Sequence, residues 1–463
     1  MTGSVTLPAW LFVLIMAFAA VTFASHFLFP SVRWFLRRRL ERAVARLNTR
    51  LERPIEPFRL ARRYDLIQRL CYDPEVTRAI VARARETGVR EDVAFEEARR
   101  YAREIVPSFS ALAYFGVAIR AARLLSNAIY RVRIVRPDPE SLRGIDPEAT
   151  VVFVMNHRSN MDYVLVTWLA ADRSALSYAV GEWARVWPLS RLIRAMGAYF
   201  IRRRSRNALY RRVLERYVQL ATAGGVTQAI FPEGGLSLDG RLASPRVGLL
   251  KYISEGAADA GRDVVFVPVA LNYDRVLEDR ILVAAGTRGD RRFNARISVV
   301  AGFALKQIWL RLTGRYHRFG YAAVSYGTPL SLRGQPEAAR TPEALARELL
   351  ARIGAVTPVL PVPLVAHLLL SEGPLDRSGL ERAFGRAADA LGPDRIYLPR
   401  GNRDYAVETG LRALLKRQIV REEAAGFAVT ESGAPLARYY AGSIAHAMPA
   451  AAPDVDLSAT AGS

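Results

Sequence analysis

Cysteine is all but missing. Cys71 stands alone in 463 residues, which excludes an intramolecular disulfide and any cysteine-rich metal site. Histidine is scarce as well: His26, His157, His317, His367 and His446 show no ligand spacing, so no metal cofactor is expected. Lysine shrinks to Lys251, Lys306 and Lys416, although lysine and arginine together number 66 against 44 acidic residues. The formal net charge of +22 is therefore an arginine charge. It implies a negatively charged partner, whether acidic lipid, nucleic acid or a phosphorylated substrate.

Charge disappears altogether from Ala9 to Leu28. That run, "AWLFVLIMAFAAVTFASHFL", is about long enough to cross the ~30 Å apolar core of a bilayer. A cleaved signal peptide wants positive charge ahead of its apolar stretch, and "MTGSVTLP" has none, although the small residues of "TFAS" suit cleavage. Residues 31–63 then hold 11 arginines against three glutamates. By the positive-inside rule, residues 1–30 form a single-pass anchor with the body of the protein on the cytoplasmic side of the cell (inner) membrane.

The rest divides by texture. Residues 31–130 read as a basic helical region, beginning with Leu36, Leu40, Val44, Leu47 and Leu51 on one helical face. From 131 to 335, short β-branched runs alternate with helical stretches: "TVVFVM" at 150, "ALSYAV" at 175, "TQAIF" at 227, "VVFVPVAL" at 264, "ISVVAGF" at 297 and "YAAVSYG" at 321. This pattern implies an α/β domain with a mostly parallel, buried sheet and flanking helices. Residues 336–446 return to helical texture, and the tail 447–463 reads as disordered.

Reactive residues of such sheets gather at the carboxyl ends of strands. "MNHRSNMD" (155–162) follows one strand and carries more polar chemistry than a turn needs. His157 and Asp162 are five residues apart, about 140° around a continuous helix, and cannot touch there. They meet if His157 lies in the turn and Asp162 in the first helical turn, with Ser159 or Asn160 capping. An imidazole oriented by a carboxylate is a general base; the bland alternative is a capped helix end. Ser159 has no "GxSxG" elbow to make it a nucleophile. Two further stretches stand out. "GAYFIRRRS" (197–205) offers arginine forks suited to phosphate, and "FPEGGLSLDGR" (231–241) a glutamate beside a glycine pair able to approach an anion.

Taken in order, "NHRSNMD", "GAYFIRR", "FPEGGLS" and "VPVALNYDRVLE" (267–278) resemble the four blocks of the glycerolipid acyltransferases, the first being the H-x4-D block. The likeness is nearer to the glycerol-3-phosphate and dihydroxyacetone-phosphate group: the third block reads "EGG", and "RFGYAAVSYGTPLSL", "TPVLPVPLVAHLLL" and "YYAGSIAHAM" are similar to that group's later segments. Leu236 and Leu238 depart from it, standing where arginines are common, and Arg246 stands where a lysine is usual.

The resemblance implies acyl transfer from an acyl thioester, acyl-CoA or acyl carrier protein, to the sn-1 hydroxyl of glycerol 3-phosphate. His157 would take the hydroxyl proton and Asp162 orient it. Arg202 and Arg203 would bind the phosphate, and Glu233 the glycerol hydroxyls or the arginines. Donors near Gly234 and Gly235 would serve the oxyanion, Ser237 would complete the substrate side, and Pro268 would shape the acyl-donor side. Anionic membrane lipid is a further expected partner, since the product is a lipid. Lysophosphatidate and dihydroxyacetone phosphate stay open as acceptors. A membrane-tethered nucleic-acid binder fits the charge alone, but no aromatic and basic module for it is visible, and no nucleic-acid partner is expected.

Overall fold

The computed structural model describes residues 8–136, 139–170, 174–181, 189–202, 205, 207–288 and 318–448. Two compact units divide the chain at Ile55. In the first, one helix runs from Ala9 to Asn48 with Trp10, Phe12, Leu14 and Phe18 exposed. Among the described residues no helix is long and apolar enough to cross a membrane. The expected anchor lies only partly within them, since the side chains of 19–37 fall outside.

The second unit is built on an eight-stranded sheet. Its strands are β1 (Arg131–Arg136), β2 (Thr150–Met155), β3 (Ser177–Gly181), β4 (Tyr199–Ile201), β5 (Gln228–Ile230), β6 (Val264–Tyr273), β7 (Tyr321–Tyr326) and β8 (Leu330–Ser331). Their order is β1-β7-β6-β2-β5-β3-β4, with β8 also on β6. Among the described residues, only the β6–β7 and β6–β8 pairings of this sheet are antiparallel. The mixed α/β class with a mostly parallel sheet is thus the observed one. The strand expected at 297–303 lies outside the described residues.

Every residue of β2 and β6 is buried, because helices cover both faces of the sheet. Side chains alternate between the two resulting cores as a pleat requires. Val151, Phe153 and Met155 join Leu165, Leu364 and Leu411 on one side, while Val152 and Val154 join Ile67, Val213 and Ile253 on the other. The helix Ala208–Ala223 opens on Asn207, whose side chain accepts from Tyr210 N–H, and closes on Gly224 and Gly225. One element of the carboxyl-terminal region is not helical: a hairpin, β9 (Val420–Glu423) and β10 (Gly426–Val429).

Pro268 sits in the middle of β6, an unusual place for a residue without an N–H. The strand tolerates it because β8 pairs at Val265 and Phe266 while β7 takes over only at Val269. The Pro268 carbonyl still accepts from Gly327 N–H at 2.8 Å.

Candidate active site

β2 ends at Met155, and Asn156 extends its pairing with a side chain. The amide donates to Leu271 O at 2.9 Å and accepts from Leu271 N–H at 2.7 Å, so it acts as one more backbone link to β6. The chain then turns through His157–Asn160 into the helix Met161–Leu169. His157 is in the turn and Asp162 in the first helical turn, the placement that the five-residue spacing demands.

His157 Nδ1 and Asp162 Oδ2 are 2.8 Å apart. The same Oδ2 accepts from the N–H groups of Arg158 (2.7 Å) and Ser159 (3.0 Å), and Oδ1 from the Tyr273 hydroxyl (2.6 Å). Four donors around a fully buried carboxylate offset the cost of removing its charge from water. Ser159, not Asn160, gives the side-chain cap, accepting from Met161 N–H at 3.1 Å. The imidazole stacks on Phe231 with centroids 4.1 Å apart and meets Tyr163 edge-on. These contacts fix the ring, and among the described residues Nε2 has no hydrogen-bond partner.

Glu233 braces the turn from the next strand-end loop. Its Oε1 accepts from His157 N–H at 2.8 Å and its Oε2 from Ala243 N–H at 2.9 Å. Ser237 N–H returns a bond to His157 O at 3.0 Å, and its hydroxyl donates to Arg241 O at 2.8 Å. Burial pushes the Glu233 carboxyl up, partly opposed by Arg158. Glu278 serves the other flank, accepting from Ser159 Oγ at 2.7 Å and from Asn160 at two points. Burial raises its carboxyl as well.

His157, Asn160 and residues 233–239 line a cavity of about 610 Å³, a size ordinary for small-ligand sites. Leu236, Leu238, Leu242, Leu282 and Val283 form its apolar wall, with Arg246 and Arg438 beside them. Both arginines are exposed, and among the described residues neither has an ion-pair partner. Gly234 adopts φ 68°, and the Arg246 side chain passes where a Cβ would stand. The Gly234 N–H is spent on Phe231 O at 3.0 Å. Among the described residues no group accepts from the Gly235 N–H. Gly240, at φ 82°, lets the Tyr439 backbone pack where its side chain would be, so the helix Ala434–Gly442 closes over this loop.

His157, Asp162, Glu233, Gly234, Gly235 and Ser237 come together in the structure, whereas two other candidates lie elsewhere. Arg202 does not line the cavity. Its guanidinium grips Glu104 through Nε (2.9 Å) and Nη2 (2.6 Å), between the rings of Tyr101 and Tyr210. Pro268 lies within the sheet and lines no part of the cavity. Arg203 lies outside the described residues. Tyr273 and Glu278 carry no expected role, though both stand in the "NYDRVLE" run of the fourth block. Arg158 and Arg438 are likewise absent from the expected site; the buried Arg158 guanidinium donates to Arg241 O and Ser443 O at 3.3 Å each. No local signal marks these residues, because their partners lie on distant segments. Among the described residues, no three His, Cys, Asp or Glu side chains are grouped to hold a metal.

Residues 136–272 match the Acyltransferase family model. The chain is 30% identical over 434 residues to the glycerol-3-phosphate acyltransferase of Pseudomonas putida (strain W619), covering 84% of this chain and 50% of that protein. It is 29% identical over 360 residues to the glycerol-3-phosphate acyltransferase of Pseudomonas putida (strain KT2440), covering 71% and 41%. The chain thus spans about half the length of the curated relatives it matches. A solved 1-acyl-sn-glycerophosphate acyltransferase from Thermotoga maritima aligns with 52% of this chain and 75% of its own, at 19% identity and a TM-score of 0.31. Residues 136–272 thus carry an acyltransferase-family domain, and the chain around it is similar to the glycerolipid acyltransferases.

Proposed function

We propose that the protein transfers a fatty acyl group from an acyl thioester to the sn-1 hydroxyl of glycerol 3-phosphate. The observation that carries this reading is the His157–Asp162 pair, 2.8 Å apart at the wall of a cavity. Nε2 of His157 takes the hydroxyl proton as the acceptor oxygen bonds to the thioester carbonyl carbon. The tetrahedral oxyanion accepts from the Gly235 N–H. The C–S bond then breaks, the thiolate leaves with the proton held by the imidazolium, and Asp162 stabilises that imidazolium while it exists. No metal or other cofactor takes part.

Arg246 and Arg438 bind the acceptor's phosphate, since they are the cations at the cavity not already paired among the described residues. Glu233 acts as a brace for the His157 turn, because both its oxygens accept backbone N–H groups. The leucine wall takes the acyl chain. A second reading, lysophosphatidate as acceptor, is favoured by Leu236 and Leu238, which make the wall more apolar than a three-carbon acceptor needs. An acceptor panel on purified protein separates them: glycerol 3-phosphate, dihydroxyacetone phosphate and lysophosphatidate with one acyl donor, then coenzyme A against acyl carrier protein as donor. Preference for lysophosphatidate would overturn the first reading.

The same reading places the protein at the inner membrane, held by residues 1–30 with the catalytic unit in the cytoplasm. The exposed Trp10, Phe12, Leu14 and Phe18 support it. Removing residues 1–30 should release the protein from vesicles only in part, because the basic stretch after Arg33 still binds anionic lipid. Unchanged membrane association would show that the anchor lies elsewhere.

A further inference from the structure

The carboxyl end of β6 borders a second cavity, of about 550 Å³, that shares no lining residue with the His157 site. Its wall carries Arg131, Arg275, Arg318, Arg412, Lys416 and Arg417. Asp274 is the carboxylate of this lining, and both its oxygens are engaged by backbone, accepting from Tyr321 N–H (2.9 Å) and Val362 N–H (3.0 Å). Arg417 is held by Asp279 at 2.7 Å and by the Tyr440 hydroxyl at 2.8 Å, and Arg412 by Glu408 at 3.0 Å. Among the described residues the other four cations have no ion-pair partner.

Arg275 is the most telling of them. Its guanidinium lies 3.8 Å over the Phe319 ring, and its Nε is buried without a hydrogen-bond partner. Burial, with Arg417 nearby, pulls its pKa down, and Asp279 opposes this only in part. Arg131 lies 5.7 Å from the centre of the Tyr321 ring. Cations gathered around one cavity repel each other, and a dianion between them removes that cost.

We propose that this cavity binds a phosphate-bearing ligand, at a site separate from the acyl-acceptor pocket. Arginine forks match phosphate oxygens in geometry, and several around one concavity favour a dianion over a single carboxylate. The volume exceeds what one phosphate fills, and Phe319, Tyr405, Val362 and Leu414 give the rest of the ligand an apolar and aromatic wall. A soluble phosphate ester and a phosphatidate headgroup at a bilayer surface share this chemistry.

The test uses the full chain and two probes. Inorganic phosphate and a soluble short-chain phosphatidate are each titrated by calorimetry, because residues 1–30 and the basic stretch after Arg33 would hold the chain on any vesicle. Arg318→Glu/Lys416→Glu alters two exposed, unpaired cations of the cavity. Arg246→Ala/Arg438→Ala alters the catalytic cavity, and Arg69→Glu/Arg85→Glu, on exposed positions elsewhere, controls for net charge. The cavity variant should weaken binding of phosphate, of short-chain phosphatidate or of both by about tenfold or more beyond any loss in the Arg246→Ala/Arg438→Ala variant, while the charge control retains it. The arm that responds identifies the source. Unchanged binding in both arms, no wild-type binding in either, or an equal loss in the charge control overturns the proposal. Should the double variant fail to fold, Lys416→Glu alone carries the same comparison.

Discussion

The hydroxyl of Tyr273 donates a 2.6 Å hydrogen bond to Oδ1 of Asp162, across 111 residues of sequence. It fills the side of the carboxylate that the His157 turn leaves open. Burial holds the Tyr273 hydroxyl well above its ordinary pKa, so it stays a neutral donor. Tyr273→Phe keeps the ring and leaves Oδ1 buried without its donor. A bond to a charged group contributes about 1.5–3 kcal/mol, so kcat should fall by roughly tenfold to a hundredfold. KM for the acceptor should stay near the wild-type value, because the tyrosine does not line the cavity. A purely structural role predicts a lower melting temperature with kcat unchanged, and steady-state kinetics beside thermal melts distinguish the two.

His157→Ala should remove transfer while leaving the fold intact, since the ring sits in a turn at the cavity wall. General base catalysis is worth about 10²- to 10⁴-fold, which sets the smallest loss expected. Asp162→Asn should cost activity on the same scale, because a neutral amide no longer favours the imidazolium. Near-normal turnover of the histidine variant would falsify the mechanism.

The arginines divide by what they touch. Arg246→Ala and Arg438→Ala should each raise KM for glycerol 3-phosphate by about tenfold or more, with the acyl-donor KM little moved. Arg202→Lys should instead lower the melting temperature slightly, since lysine cannot reproduce the fork on Glu104. The Arg202 pair is about one-third exposed on the arginine side, so solvent screening keeps that loss small. A selective rise in acceptor KM for Arg202→Lys would return this residue to the phosphate.

Asp274 gives a pH signature outside the catalytic site. Burial pushes its carboxyl from 3.8 up to about 6, against the two N–H groups it accepts from. The protonated form is therefore the one the folded state favours. Its contribution to stability is fully present below the unfolded pKa and is lost as pH rises through about 6. A shift of this size corresponds to about 3 kcal/mol. Denaturant titrations of wild type and Asp274→Asn should show the stability difference, wild type minus variant, falling between about pH 4 and 6. A difference flat across that range removes Asp274 as its source.

The sequence alone determined the elements and the chemistry that depend on neighbours in the chain. Continuous apolar runs such as "TVVFVM" could only be buried strands, because every residue of them needed cover on both faces of a sheet. The five-residue spacing of His157 and Asp162 already demanded a turn followed by a helix, and the glycine pair at 224–225 already ended one. Pairing across the chain was decided by tertiary structure. Which cations were free for a substrate depended on which carboxylates the fold brought near: "FIRRR" looked ready for phosphate until Glu104 closed on Arg202. Arg438 was one charge among many until the helix Ala434–Gly442 packed over Gly240 and set it on the wall of the cavity that Arg246 also lines. Local pattern fixes backbone conformation because sterics and periodicity act over a few residues. Charge compensation acts through space between segments far apart in sequence, so only the folded chain settles it.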